Sequence, residues 1–484
     1  MTVDVQLLIG GASVPIDERE SVVNPAHPDE VVGTAALGRA EHADRAIDAA
    51  VAAFPAWSAT PIDERAAILS RAAAAAVFDD DDRATLLTRE QGKVLAEARA
   101  EIGMFPRLLQ LSNPLAARFA AEERFDDPAR KGDLVIARRP RGPAVAITPW
   151  NWPVSQIGQK IGPMLLAGNT LVIKPPLEAP LTALITLERV VSVLPPGVVN
   201  VVTGRVADLG PSLTGHPAIR HISFTGSIRS GSEVMRAAAA NVTNVTLELG
   251  GNDAALVLDD AMLDDRAFGR LAQGIFTTAG QGCQLIKRVY VHRSRHDELV
   301  SGLIAAVNRS YRVGDGLAEG VTLGPLCTRR QRDFVRELVA EADSNGATVI
   351  EAGEFDADAD VKDGFFHLPT IVTGARDDDR LVTEEQFGPA IPIIAIDDDD
   401  DAVRRANDSR YGLAASVWSG DSERAWRVAR SLEAGTVMIN HHNVFVALGD
   451  APFGGVKQSG LGREGGFAGL EELMELMVLT DRRR

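Results

Sequence analysis

The feature that most restricts the fold is an alternation. Beyond residue 160, β-branched runs alternate with segments of helical period, as at 169–173, 198–202, 221–224, 254–258, 287–292, 391–396 and 435–440. Strand, turn and helix in repetition build parallel sheets covered by helices. No internal repeat is visible, so the pattern predicts two successive α/β domains. At 484 residues there is ample core for two or three domains. In such sheets the chemistry gathers at the C-terminal strand ends.

Two strand-end stretches carry reactive groups. Val245-Thr-Leu-Glu-Leu-Gly-Gly251 reads as a strand closing on a carboxylate and a Gly-Gly turn. Ala279-Gly-Gln-Gly-Cys283 is a small-residue loop ending in one of only two cysteines. The intervening 261–278 segment has helical spacing. A thiol must ionise to become a good nucleophile, and an acyl-thiol needs a base to activate water. The spacing therefore predicts Glu248 and Cys283 in one cleft, serving a cysteine-dependent oxidation. Cys327, in a Gly-Pro-Leu-Cys loop, reads as incidental.

Three further motifs surround these. Thr148-Pro-Trp-Asn-Trp-Pro153 fixes its backbone with two prolines and two indoles. A rigid Asn151 amide suits an oxyanion site. Lys174 ends the 169–173 strand, and Thr225-Gly-Ser227 opens a helix after a strand, an anion-binding arrangement. No GxGxxG fingerprint is present.

Composition bounds the partners. A net charge of −17 excludes nucleic acid and anionic membrane as expected partners. No run reaches the roughly 18 apolar residues of a membrane span. The first residues show no signal-peptide pattern, and two cysteines show neither a disulfide framework nor zinc spacing. A cytoplasmic protein without a metal is expected. Only seven of 50 basic residues are lysine: Lys93, Lys131, Lys160, Lys174, Lys287, Lys362 and Lys457. A chain so biased to arginine is expected to keep lysine where a compact ammonium is required, although chance retention accounts equally well for any single one.

Elsewhere the pattern is plainer. Residues 41–121 read as several helices divided by Pro55, Pro61 and Pro106. Residues 132–147 read as a long hairpin turning at Pro140-Arg-Gly-Pro143. The 471–480 end is apolar enough to pair with another chain.

Taken singly, most of these features also have structural readings: a buried thiol, a capping glutamate, a surface lysine. Their order is more specific. Pro149-Trp-Asn-Trp-Pro153, Lys174-Pro, Phe224-Thr-Gly-Ser227, Leu247-Glu-Leu-Gly-Gly251, Gly280-Gln-Gly-Cys283, Glu385-Gln-Phe-Gly-Pro389 and Pro452-Phe-Gly-Gly-Val-Lys457 occur in sequence over nearly the whole chain. This set resembles the NAD(P)-dependent aldehyde dehydrogenase superfamily. The resemblance implies a Rossmann-like cofactor domain (1–119 and 143–250), an α/β catalytic domain (251–452), and a protruding β-hairpin with the C-terminal segment (120–142 and 453–484) for oligomerisation. It implies a homodimer or homotetramer acting on a small-molecule aldehyde with NAD or NADP. It further implies Cys283 as nucleophile, Asn151 and the Cys283 N–H as oxyanion donors, Glu248 as the base, and Lys160 as a proton relay. Trp150, Lys174, Gly226, Ser227, Glu385 and Phe387 would bind cofactor.

There are departures. Leu177 stands three residues after Lys174, where many NAD-preferring members carry a glutamate, so NADP is expected to be tolerated or preferred. The expected substrate mouth (Gln156, Gln159, Thr277, His441, His442, Asn443 and Phe445) is polar. It forms no aromatic box for quaternary ammonium groups, and no arginine is evident to clamp a terminal carboxylate. Two other readings share these residues: a CoA- or phosphate-linked acylating reductase, which lacks a deacylating base, and a catalytically silent binding homologue.

Overall fold

The computed structural model describes residues 2–127, 132–442 and 451–481. The strands Asn244–Glu248, His221–Thr225, Ala144–Ile147, Leu171–Lys174 and Val199–Val201 lie side by side and run parallel. Leu171–Lys174, Val199–Val201 and His221–Thr225 are buried throughout, which is why they read as unbroken apolar runs. Antiparallel strands extend both edges: Gly460–Leu461 on one side, Leu7–Ile9 and then Ala12–Val14 on the other. The chain reverses direction across the sheet at Ala144–Ile147, whose neighbours are Leu171–Lys174 and His221–Thr225. Such a reversal opens a crevice at the strand ends.

The second sheet has six parallel strands in the order Thr370–Thr373, Ala390–Ile396, Ile286–His292, Asp253–Val257, Ala414–Trp418, Thr436–Ile439. Thr348–Glu351 adds an antiparallel edge. The apolar residues of this sheet and its helices form one core cluster, and those of the first sheet form two others. Only the short Leu-Gly-Gly-Asn turn separates Glu248, the end of one sheet, from Asp253, the start of the next. The two sets of strand ends are thereby brought together.

Two expectations need correction. Residues 132–147 are not one hairpin. Gly132–Pro140 pairs with Glu123–Asp127 and Met474–Thr480 in a separate three-stranded antiparallel sheet, whereas Ala144–Ile147 is a central strand of the first sheet. Pro140-Arg-Gly-Pro143 is the break between two sheets. Nor do all three prolines divide helices. Pro61 precedes Ile62–Ala75, but Pro55 and Pro106 lie within Ala40–Ala59 and Leu95–Gln110. The neighbouring Trp57, Leu108 and Leu109 are buried. Their burial offsets the ~3 kcal/mol that an interior proline costs a helix. No described helix is long and apolar enough to cross a membrane.

Candidate active site

The site forms where Gly250-Gly251 joins the sheets. A Cβ on Gly250 would lie 2.2 Å from Glu385 Oε2, and one on Gly251 would lie 2.3 Å from the Cys283 carbonyl oxygen. No side chain fits at either place. The Gly251 N–H donates to Glu385 Oε1 at 3.0 Å. Two motifs far apart in sequence thus meet on this turn.

The Cys283 loop follows the helix Asp265–Phe276, which is amphipathic and capped by Asp264. Thr278 and Ala279 adopt left-handed φ of 49° and 55°. Non-glycine residues pay roughly 1–3 kcal/mol each for this, so the surroundings must hold them. Glu97 does so by accepting the Thr278 N–H at 2.7 Å. Gln281 adds a second tie: its Oε1 accepts the Cys327 N–H at 2.9 Å. Phe387 is also left-handed, at 48°, and its ring meets Trp150 edge-on at 5.3 Å. Gln331 Nε2 donates to the carbonyls of Gln386 and Phe387.

Trp150, Asn151, Gln156, Thr225, Gly226, Ser227, Leu249, Cys283, Arg330, Gln331, Glu385 and Phe387 line one cleft of about 230 Å³. Two larger surface hollows, about 470 and 560 Å³, do not include Cys283. Ser227 caps the helix Ile228–Ala239, accepting the Ser230 N–H at 3.2 Å. That helix start faces the cleft and offers free N–H groups to an anion.

Asn151 is held from beneath by residues that sequence reading missed. Its amide donates to the Gln281 carbonyl at 2.9 Å, leaving a second N–H. Its backbone carbonyl accepts from Lys93 Nζ at 2.9 Å. Lys93 is fully buried, pairs with buried Glu101 at 2.5 Å, and lies 3.8 Å from the Trp152 ring centre. The other Glu101 oxygen accepts the N–H groups of Val154 and Ser155 at the start of the helix Ser155–Ala167. One ion pair therefore fixes both the loop and the helix after it. Lys93→Met should leave Glu101 short of a partner and destabilise the fold by about 3–5 kcal/mol. Thermal melts check this, and kcat should fall more than KM changes.

Glu248 is placed differently from expectation. It is 3 % exposed and does not line the cleft. Its carboxyl points under Gly454, where a Cβ would sit 2.7 Å from Oε1. Burial raises its pKa well above the carboxylate range, and Glu464 raises it further, while Lys160 and Arg463 oppose. Lys160 does not bond Glu248. Its ammonium, also buried, donates to Glu464 at 2.5 Å and to Ser223 at 2.8 Å. Glu464 had no recognisable signal, since it pairs across some 300 residues of chain.

Lys174 ends its strand as predicted, buried, with Nζ donating to Pro175 O at 3.3 Å. Burial lowers its pKa, and it too lies off the cleft lining. Cys283 opens partly to the cleft. Its thiol is pushed up to about 12 by burial and by Glu385, Asp253 and Glu248, with a backbone hydrogen bond from Gln284 acting against them. Of the expected mouth residues, Gln156 lines the cleft, Thr277 and His441 are half-buried, and Gln159 borders the Lys160 cavity. His442 is buried against Ser416 and Asp253, not free to meet substrate. Asn443 and Phe445 lie outside the described residues.

The profile of the aldehyde dehydrogenase family matches residues 14–479. The chain belongs to the aldehyde dehydrogenase family. Relatives span its whole length. It is 39 % identical to an Escherichia coli succinate-semialdehyde dehydrogenase named for NADP(+), over 98 % of this chain and 97 % of the relative. It is 38 % identical to a Pseudomonas putida glutarate-semialdehyde dehydrogenase, over 98 % and 97 %. A solved betaine aldehyde dehydrogenase from Staphylococcus aureus, in complex with NAD+, superposes with a TM-score of 0.93 at 34 % identity, covering 99 % of this chain and 95 % of that one. An aldehyde dehydrogenase of this kind is an oxidoreductase that oxidises aldehydes with NAD(P).

Proposed function

We propose that Cys283 is the nucleophile and Glu248 the deacylating base of this aldehyde dehydrogenase. The observation that supports it best is the Gly250-Gly251 turn, which sets the Cys283 loop against the strand that ends in Glu248. Cys283 Sγ adds to the aldehyde carbon, and the carbonyl oxygen takes up negative charge. The second Asn151 N–H and the Cys283 N–H stabilise that oxyanion, each donor contributing about 3 kcal/mol. The thiohemiacetal becomes a thioester on Cys283 when its carbon is oxidised. Glu248 then takes a proton from water as the water attacks the thioester. Lys160 and Glu464 carry that proton away from its carboxyl.

The donor set fits a dinucleotide. The helix start at Ser227 suits its pyrophosphate, Glu385 its ribose hydroxyls, and the Trp150–Phe387 ring pair an aromatic face. Bound there, the nicotinamide supplies the hydride acceptor. Lys174 would take the adenosine ribose. Leu177 presents no carboxylate against a 2′-phosphate, which supports NADP as an accepted cofactor.

The substrate is a neutral polar aldehyde. Gln156, Gln159, Thr277 and His441 carry no fixed cation, burial lowers the His441 pKa, and the guanidinium on the cleft lining, Arg330, adjoins Gln331, which bonds the Phe387 carbonyl on the proposed cofactor side. Arg270, near His441, stacks 5.7 Å from the Trp418 ring centre. A neutral substrate departs from the names of the relatives called succinate- and glutarate-semialdehyde dehydrogenases. A matrix of kcat/KM values, with NAD and NADP against neutral aldehydes and succinate semialdehyde, tests both points. Neutral aldehydes should be preferred by roughly tenfold or more, with NADP at least equal to NAD. A strong NAD or semialdehyde preference contradicts the corresponding half.

The assembly is a homo-oligomer joined through the three-stranded sheet. Phe125, Leu476, Val478 and Leu479 are exposed there, 45–67 % each, an apolar patch that invites a second copy. Leu476→Asp with Val478→Asp should shift sedimentation toward monomer; an unchanged oligomer refutes this contact.

A further inference from the structure

A second charge cluster lies behind the nucleophile, apart from the Lys160–Glu464 pair. It begins with an irregularity in the second sheet. Asp253 pairs with Ile286, but the next residue, Ala254, pairs with Arg288. Lys287 is therefore the extra residue of a β-bulge. Bulges are rare between parallel strands, and near active sites they re-aim a side chain. Here the lysine goes inward. It is 1 % exposed, and its ammonium donates to the Gly280 carbonyl at 2.5 Å, three residues before Cys283. It also sits 5.6 Å from the Phe387 ring centre.

Asp253 faces the same loop from the neighbouring strand. The point where a Gly251 Cβ would stand lies 2.3 Å from the Cys283 carbonyl oxygen and 2.9 Å from Asp253 Oδ1. Asp253 Oδ1 accepts the Ala414 N–H at 3.0 Å. Its Oδ2 lies 3.4 Å from His442 Nε2, both side chains wholly buried. His442 Nδ1 meets Ser416 Oγ at 3.0 Å, and that oxygen accepts from Trp418 Nε1. The Ala414 N–H thus holds one carboxylate oxygen, and the buried His442 ring stands 3.4 Å from the other.

The charged groups around Cys283 are few. Glu385, on the loop before Ala390–Ile396, Asp253 and Glu248 are the carboxylates within electrostatic reach. Lys287 is within reach of Cys283, Asp253 and Glu385. Glu385 in turn feels Arg410. Lys287 is the buried ammonium tied to the nucleophile loop through the Gly280 carbonyl, and the Cys283 proton must leave against three carboxylates.

We propose that Lys287 and Asp253 are positioning residues that set the ionisation of Cys283 in opposite senses, the bulged ammonium favouring the thiolate and the His442-held carboxylate opposing it. This rests on Cys283 being the nucleophile, and thiolate formation is an equilibrium in which the proton passes to water in the cleft. Without Lys287 the loop would lose both its offsetting charge and its tie at Gly280. Without the Asp253 charge one of the three opposing carboxylates disappears.

The test is the pH dependence of iodoacetamide alkylation of the Cys283 peptide, followed by mass spectrometry in the full-length protein. Alkylation reads the thiolate whether or not aldehyde is turned over, so failure here is separable from failure of the nucleophile assignment. Lys287→Met should move the profile to higher pH and slow alkylation near neutrality by about tenfold. Lys287→Arg should restore part of the loss. Asp253→Asn should move the profile to lower pH and speed alkylation. General damage to the site would move Lys287→Met and Asp253→Asn the same way. Movement of both profiles in the same direction, or of neither, overturns the proposal. Where Lys287→Met does not fold, Asp253→Asn alone decides: a faster profile supports the proposal and an unchanged or slower one overturns it.

Discussion

Replacing Cys283 with alanine should lower kcat by about 10⁴-fold or more, the order of loss when a covalent nucleophile is removed. Nothing else in the described cleft can replace it. The other cysteine, Cys327, is buried and does not line the cleft. The fold should survive, because a small, partly exposed thiol contributes little packing. Cofactor binding should survive as well, since Ser227, Glu385 and the Trp150–Phe387 pair are untouched. The expected signature is a protein that quenches or shifts NADPH fluorescence normally and makes no product. Steady-state rates beside a fluorescence titration measure it. Retained turnover in Cys283→Ala would remove the covalent route.

Glu248→Gln should have the next largest effect, roughly 10²–10⁴-fold on steady-state turnover. Acylation does not need this carboxylate as a base for water, so the first turnover should proceed. A burst of one NAD(P)H per active site should then be followed by a near-stop. An acylating reductase of the same fold would show no such dependence on Glu248. The pH dependence follows from the direction in which the pKa moves. Burial and Glu464 raise the Glu248 pKa, so its basic form grows as pH rises through the raised value. Where deacylation limits the rate, kcat should climb with pH as Glu248 loses its proton, at a pH above the ordinary carboxylate range. The Gln variant should lose that climb.

Particular residues show how far sequence can be read. Cys283, Asn151, Glu385 and Ser227 all line the cleft, and the short motifs that carry them are legible in the sequence, but only Ser227 stands at a helix start. Lysine scarcity was a second legible signal. Lys93, Lys160, Lys174 and Lys287 are all buried, each among the elements that carry the site. What each one bonds was not legible. Lys93 reaches Glu101 and Asn151 from separate elements, and Lys160 reaches Glu464 from the far end of the chain. The bulge that turns Lys287 inward is a one-residue slip in register, and composition carries no trace of it. The hairpin was misplaced for a related reason. Residues 132–140 and 144–147 are both rich in apolar residues, and only strand pairing tells that they belong to different sheets.

Glu248 shows that a legible strand end does not fix where its side chain points. The motif predicts its strand end, but the rotamer is decided by Gly454, whose lack of a Cβ leaves room for Oε1. As described, the carboxyl faces Glu464 and Lys160. In the proposed deacylation it would swing about its own side-chain torsions toward the thioester, and neither oxygen has a described hydrogen-bond partner to give up.

The most direct measurement is peptide mapping by mass spectrometry of Glu248→Gln quenched after exposure to aldehyde and NADP. The account predicts one acyl group, of the mass of the oxidised substrate, on the peptide bearing Cys283 and absent from the peptide bearing Cys327. An unmodified Cys283 in a variant that still makes the acid at the unsubstituted rate would contradict it.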